Sequence, residues 1–169
     1  MATKEFSILN TSLNYDDSGL VFPRRVDQDF GGTALYDTMV IYFANGSARN
    51  GFYGAFSVPK DYVGTPKIIP VWSSTAAAAA SVVWDFEYVA VGGDASESLD
   101  PAATAESLTV TDEEAGTARF RQTAPIALTA GNLAADDTVL FGFFRDATDA
   151  ADTIAQPFLF DLLFQYTNS

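Results

Sequence analysis

Residues 81–91 of this chain read SVVWDFEYVAV, and this stretch decides the fold class. Large apolar side chains occupy every second position, while Asp85 and Glu87 fall between them. Successive side chains of a β-strand point to opposite faces, so a period of two predicts a strand with one buried face. Valines flank the two acids on the second face, which predicts that its ends are covered too, by a loop, the other sheet or a neighbouring subunit: Val83, Val89 and Val91.

The same alternation recurs along the chain, and no long stretch has the 3.6-residue period of an amphipathic helix. At residues 158–166 it places Phe158, Phe160, Leu162 and the aromatic residues after them on one face. Pro125 splits the strand predicted around it or places part of it on an edge. We therefore predict an all-β, double-sheet jelly-roll sandwich of about eight antiparallel strands. Further strands are predicted at residues 6–9, 36–43, 51–58, 67–73, 107–110, 118–130 and 138–145.

The N-terminal part lacks this pattern. Residues 10–32 are rich in Gly, Pro, Asp and Asn, so we expect residues 1–35 to form an irregular arm or long loop, followed by the jelly-roll domain over residues 36–169. Arg24 and Arg25 are the only adjacent basic pair in an acidic chain.

Two interpretations of this basic pair stay open. In the first, the arm reaches an acidic neighbour, which makes Phe22 and the two arginines candidate interface residues together with the three valines. Alternatively, the arginines pair within the chain with Asp27 or Asp29.

Composition excludes several classes of function. The 169 residues include no cysteine and no histidine, which removes thiolate nucleophiles, Cys-ligated metals, imidazole bases and the usual catalytic triads. We therefore expect a protein that is not an enzyme and that needs no cofactor. A net charge of −13 argues against nucleic-acid binding, and the absence of a long apolar run or leader pattern predicts no membrane association.

Carboxylates supply the remaining candidate sites. Asp85 and Glu87 lie on one strand face and so could form a glycosidase pair, although two acids on a solvent-facing strand surface explain the same residues with no extra assumption. The acidic segment 94–114 is typical of a solvated loop, with a contact surface for a cationic partner as the alternative. Three aspartates follow a predicted strand at three-residue intervals and are candidate calcium ligands or, more simply, turn caps: Asp146, Asp149 and Asp152.

The two tryptophans, Trp72 and Trp84, are candidates for a sugar-stacking platform, with core filling as the simpler explanation. Three stretches together carry a resemblance to a known family: FSVPKDY at 56–62 leading to Val71 and Trp72, VVWDFEY at 82–88, and LFGFFRD at 140–146 followed by Asp149, Asp152 and Thr153. In order and spacing, they resemble small jelly-roll virion proteins of tailed bacteriophages, over about residues 36–169.

Such chains are similar to head decoration, or cement, proteins. The resemblance implies a structural virion protein that is made in the host cytoplasm, trimerises on the capsid surface, binds the major capsid protein and stabilises contacts between capsomers. Jelly rolls also serve as receptor- or carbohydrate-binding modules of spikes and tail tips, which is the alternative function.

Overall fold

A computed structural model of the chain describes residues 1–9, 13–15, 21–29, 34–44, 46–75, 79–93, 97–100, 106–117 and 120–169, with backbone alone at residues 22, 24–29 and 34–38. Within these residues, the regular elements are strands and one short 3₁₀ turn at Ala130–Asn132. None of the helical structure described there is long and apolar enough to cross a membrane. The strands are β1 Thr3–Ser7, β2 Asn14–Tyr15, β3 Val21–Asp29, β4 Ala34–Phe43, β5 Arg49–Ser57, β6 Tyr62–Ser74, β7 Ser81–Val91, β8 Glu106–Glu113, β9 Gln122–Thr123, β10 Ile126–Ala127, β11 Thr138–Asp146 and β12 Pro157–Asn168.

The strands form two antiparallel sheets. The seven-stranded sheet has the order β10-β6-β12-β4-β3, with β1 also paired to β12 and β9 also paired to β6. The five-stranded sheet has the order β2-β5-β11-β7-β8. Because most strand neighbours are distant in sequence, the chain crosses repeatedly between the sheets. The protein is a double-sheet jelly-roll sandwich, as the alternation predicts.

The core lies between the inner faces of the two sheets. On β7, Val82, Trp84, Phe86 and Tyr88 are at most 1% exposed. Trp84 and Phe86 stack on aromatic rings of β11, with centroid distances of 5.1 and 5.6 Å. Burying one such side chain contributes about 1.5–3 kcal/mol, so this strand is a major source of stability.

Strand β12 departs from the predicted alternation. Its register against β6 shifts between Leu159 and Asp161, which leaves Phe160 as an extra residue. A bulge of this kind reverses the direction of the side chains that precede it. Leu159 therefore joins the main core, whereas Phe158 packs with Val40 and Tyr42 in a separate small cluster.

The expectation of an irregular arm over residues 1–35 is corrected by the structure. Strand β1 pairs with β12, β2 pairs with β5, and β3 pairs with β4 along most of its length. Strand β3 has no alternating signal because it contains charged residues and Pro23, which an edge strand tolerates. Ile8 and Val21, at 1% and 2% exposure, anchor this region in the core.

Candidate functional site

The outer face of the five-stranded sheet gathers polar and aromatic side chains from four strands. Its register places Gly51 of β5, Phe144 of β11, Asp85 of β7 and Thr109 of β8 in one row. The next row contains Tyr53, Gly142, Glu87 and Ser107. On the other side of the first row, Arg49 is paired with Asp146. We call six of these residues the sheet-face site: Arg49, Tyr53, Asp85, Glu87, Thr109 and Phe144.

The Phe144 ring lies over two glycines. A Cβ atom at Gly51 would collide with its Cδ1 atom, and a Cβ atom at Gly142 would come within 2.5 Å of its Cε2 atom. Both contacts are too close for any side chain. Because these residues are glycines, the ring can pack directly against the sheet backbone, and Phe144 is only 4% exposed.

Arg49 covers this ring. Its guanidinium carbon lies 3.7 Å from the ring centroid, within the range of a cation–π contact. Its Nε donates to Asp85 Oδ2 at 2.7 Å and its Nη2 to Glu87 Oε2 at 3.4 Å, while Thr109 Oγ1 donates to Asp85 Oδ1 at 2.7 Å. The Phe144 ring therefore supports the guanidinium from below, and the carboxylates bind it from one side. Both candidate glycosidase carboxylates, Asp85 and Glu87, thus bind the same cation.

Tyr53 supplies the exposed aromatic surface of the site. It is 48% exposed, and its ring contacts Phe144 edge-on at a centroid distance of 5.4 Å. The tyrosine lies on the same face of β5 as Arg49. The sheet-face site thus combines an exposed ring with donors and acceptors that are joined by ion pairs.

The three aspartates that were candidate metal ligands have separate hydrogen-bonding roles. Asp152 forms a bidentate ion pair with Arg145, with Nη2 to Oδ1 at 2.6 Å, and the two side chains are 1% and 4% exposed. Asp146 Oδ1 accepts from Thr148 N at 2.9 Å, and Asp149 Oδ1 accepts from Ala151 N at 2.8 Å. Across the described residues, no group of three or more His, Cys, Asp or Glu side chains is arranged to hold a metal ion.

The candidate interface valines of β7 lie on the outer face of the sheet but are unequally available. Val83 is completely buried and Val91 is 5% exposed, so the chain itself covers both side chains. Val89 is half-buried. The structure therefore corrects the proposal that Val83 and Val91 offer surface to a partner, because burial within the chain already accounts for them.

The other interface candidates lie in edge strand β3 and not in a free arm. In the backbone register, Phe22 is paired with Tyr42 and Arg24 with Val40. Arg25 is the neighbour of Arg24 in the same strand. Their side chains are outside the described part of the structure.

Trp72 does not form a sugar-stacking platform. It is 0% exposed, and its Nε1 donates to Asp112 Oδ2 at 2.8 Å between the sheets. Trp84 is equally buried. Sequence reasoning missed Tyr53. The alternation of β5 nevertheless predicts that its ring points outward, because the side chain of its neighbour Phe52 points into the core.

Part of the acidic segment 94–114 is structural. Residues 94–96 and 101–105 lie outside the described structure, but the remainder includes β8. At the start of this strand, Glu106 accepts hydrogen bonds from Tyr88 Oη at 2.8 Å and from Thr129 N and Oγ1 at 3.0 and 2.7 Å. Desolvation raises the pKa of Glu106, but these hydrogen bonds outweigh it and hold the pKa below its ordinary value. Desolvation also raises the pKa of Tyr88.

Comparisons with known proteins bear on the fold. No protein-family model and no curated protein matches the chain. An arabinose-bound α-L-arabinofuranosidase is similar with a TM-score of 0.51 and 14% identity over 90% of this chain, which spans 23% of the length of that enzyme. A family 35 carbohydrate-binding module from Clostridium thermocellum gives a TM-score of 0.49 and 13% identity over 99% of both chains.

A phage protein is also among the similar structures. The enzymatically active domain of tailspike protein 4 from bacteriophage CBA120 gives a TM-score of 0.47 and 9% identity, covering 93% of this chain and 19% of that one. At such identities, a likeness concerns the fold and not the ligand. The chain is a β-sandwich of the jelly-roll type.

Proposed function

We propose that this chain is a non-catalytic carbohydrate-binding module that holds its ligand on the sheet-face site. The observation that carries the proposal is the half-exposed ring of Tyr53 beside the immobilised Arg49 and its carboxylate partners. In this proposal, Tyr53 takes the place of Trp72 as the residue on which a sugar stacks in a receptor- or carbohydrate-binding module.

The chemistry of a sugar matches this arrangement. A pyranose ring has an apolar face of C–H groups, which packs on an aromatic ring, and a rim of hydroxyl groups that donate and accept hydrogen bonds. Tyr53 offers the ring, Glu87 offers acceptor oxygens, and the exposed edge of Arg49 offers donors. Because the ion pairs already hold Arg49, binding loses little side-chain entropy.

The same contacts favour binding over hydrolysis. A glycosidase needs one carboxylic acid that donates a proton and a second carboxylate that acts as base or nucleophile. Here both oxygens of Asp85 accept hydrogen bonds, and Arg49 joins Asp85 to Glu87. Both Asp85 oxygens are thus already hydrogen-bonded, and Glu87 alone cannot take both roles.

The test is a glycan-array screen followed by calorimetric titration of the best ligand. Tyr53→Ala is expected to weaken binding about tenfold or more because the stacking surface is lost, whereas Tyr53→Phe keeps the ring and should stay within about threefold. Phe120→Ala is the matched control, since Phe120 is also an aromatic residue, is 55% exposed and lies outside the strands of that sheet. Unchanged affinity of Tyr53→Ala, or no binding to any glycan by the wild-type protein, would refute the proposal.

A second proposal is that the chain is a trimeric virion subunit that binds the major capsid protein. An opening of about 340 Å³ beside edge strand β3 offers a second copy of the chain a place to dock, and Met39, Ile41, Leu159 and Phe160 are among the residues that line it. Edge strands and apolar openings are surfaces on which a second copy of a chain can dock. Light scattering of the purified protein tests this proposal: a trimer is expected, and a monomer at high micromolar concentration contradicts it.

A further inference from the structure

We propose that the sheet-face site selects uncharged glycans and rejects those with carboxylate groups, with Arg49 and the acids around it as the specificity determinants. This inference rests on the proposed function of the same site and concerns the class of sugar that it takes.

The positive charge of Arg49 is already shared among acids of the chain. Its Nε and Nη2 atoms donate to Asp85 and Glu87, and one face of the guanidinium lies on Phe144. Asp146 lies opposite Arg49 in the register, and the charge of Arg49 helps to lower the pKa of this aspartate after the larger effect of its hydrogen bond with Thr148. Three carboxyl groups therefore surround one cation.

No other cation on these five strands can neutralise the remaining negative charge of these carboxyl groups. Their sequences contain one further basic residue, Arg145, which is 3% exposed and paired with Asp152 inside the sandwich. Proteins recognise carboxylates chiefly through the bidentate fork of a free guanidinium. A uronate on Tyr53 would meet a guanidinium whose Nε is occupied, together with an excess of negative charge.

The hydroxyl groups of a neutral sugar do not meet this repulsion. They can donate to Glu87 and accept from the exposed N–H groups of Arg49 without adding charge. The whole chain, at −13, repels polyanions at long range as well, but that effect is screened within about 8 Å at physiological salt. The local acids therefore decide the selectivity under those conditions.

The experiment compares oligosaccharides of one linkage and stereochemistry with and without the C6 carboxylate, such as glucose-type and glucuronate-type chains, by titration calorimetry. At physiological salt, the carboxylated member is expected to bind at least tenfold more weakly. In 1 M NaCl, this difference should shrink to less than about threefold, because the Debye length falls to about 3 Å.

A pair of variants separates local charge from total charge. Asp146→Asn removes one negative charge beside Arg49 and keeps the oxygen that caps Thr148, so binding of the carboxylated ligand should improve about threefold to tenfold. Asp161→Asn changes the net charge equally but lies on β12 of the other sheet, and it should change that binding less than about twofold.

The outcomes separate the two proposals. Equal binding of both ligands, or preference for the carboxylated one, overturns the selectivity while the proposed function stands. Equal effects of Asp146→Asn and Asp161→Asn overturn the role of the local acids. Failure of the wild-type protein to bind either ligand or any other glycan refutes the proposed function itself.

Discussion

Replacement of Asp152 by alanine tests how strongly one buried ion pair supports the sandwich. The Asp152 side chain is 1% exposed, and its carboxylate accepts from both Nε and Nη2 of Arg145 and from Val83 N at 3.1 Å. Arg145 also donates to backbone carbonyl groups, so it links β11 to the turn that precedes β12. Removal of the carboxylate leaves a buried guanidinium without its counter-charge.

The expected loss follows from this burial. Breaking a buried ion pair by removing one partner costs about 3–5 kcal/mol, which is a large part of the total stability of about 5–15 kcal/mol of a typical protein. With an m-value of about 2 kcal/mol/M, the midpoint of urea unfolding should fall by about 1.5–2.5 M. Asp152→Asn keeps the shape of the side chain, and its smaller loss isolates the effect of the charge.

Asp149→Ala is the matched control. Asp149 lies in the same turn, is exposed, and caps Ala151 with a single hydrogen bond of 2.8 Å. Its loss should cost about 1 kcal/mol or less. If urea unfolding gives Asp152→Ala and Asp149→Ala the same free energy of unfolding within about 1 kcal/mol, the buried pair does not carry the stability assigned to it.

Two further predictions concern the packing and the acid stability of the sandwich. Gly142→Ala should lower the free energy of unfolding, measured in urea, by about 1–3 kcal/mol, because its Cβ would lie 2.5 Å from the Phe144 ring. Gly131→Ala is the control and should cost much less, because no atom lies within 4 Å of a Cβ at that position. Equal losses would contradict the close approach of the ring. Glu106 has a lowered pKa in the folded state, so it stabilises the protein above its unfolded pKa, and this stabilisation is lost as the pH falls through the folded value. Glu106→Gln should therefore flatten the dependence of the unfolding free energy on pH below about 4.5, measured by urea unfolding from pH 3 to 7, and an unchanged slope would contradict this.

Much of the fold could be predicted from local pattern. The alternation in residues 81–91 directs Trp84 and Phe86 to the core, and Pro125 separates β9 from β10 as predicted. Both predictions depend on backbone geometry that acts over a few residues: opposite side-chain directions in a strand, and the missing N–H of proline.

Other elements had no local signal. Strand β3 contains charges and a proline, and it is a strand because β4 offers it a partner. The bulge at Phe160 depends on the register against β6, and that register is formed between segments about 90 residues apart. A strand pairing of this kind is a contact between distant residues, which periodicity does not reveal.

The candidate site also has features that follow from the sequence and features that follow only from the tertiary structure. The sequence by itself determined the all-β class, the absence of His and Cys chemistry, and the shared face of Asp85 and Glu87, because composition and the two-residue period are local properties. Only the tertiary structure decided that Arg49 lies between those two acids, that Phe144 lies beneath it and that Tyr53 is exposed beside it. The physical reason is the register of β5, β11 and β7, which brings together side chains from three separate parts of the chain.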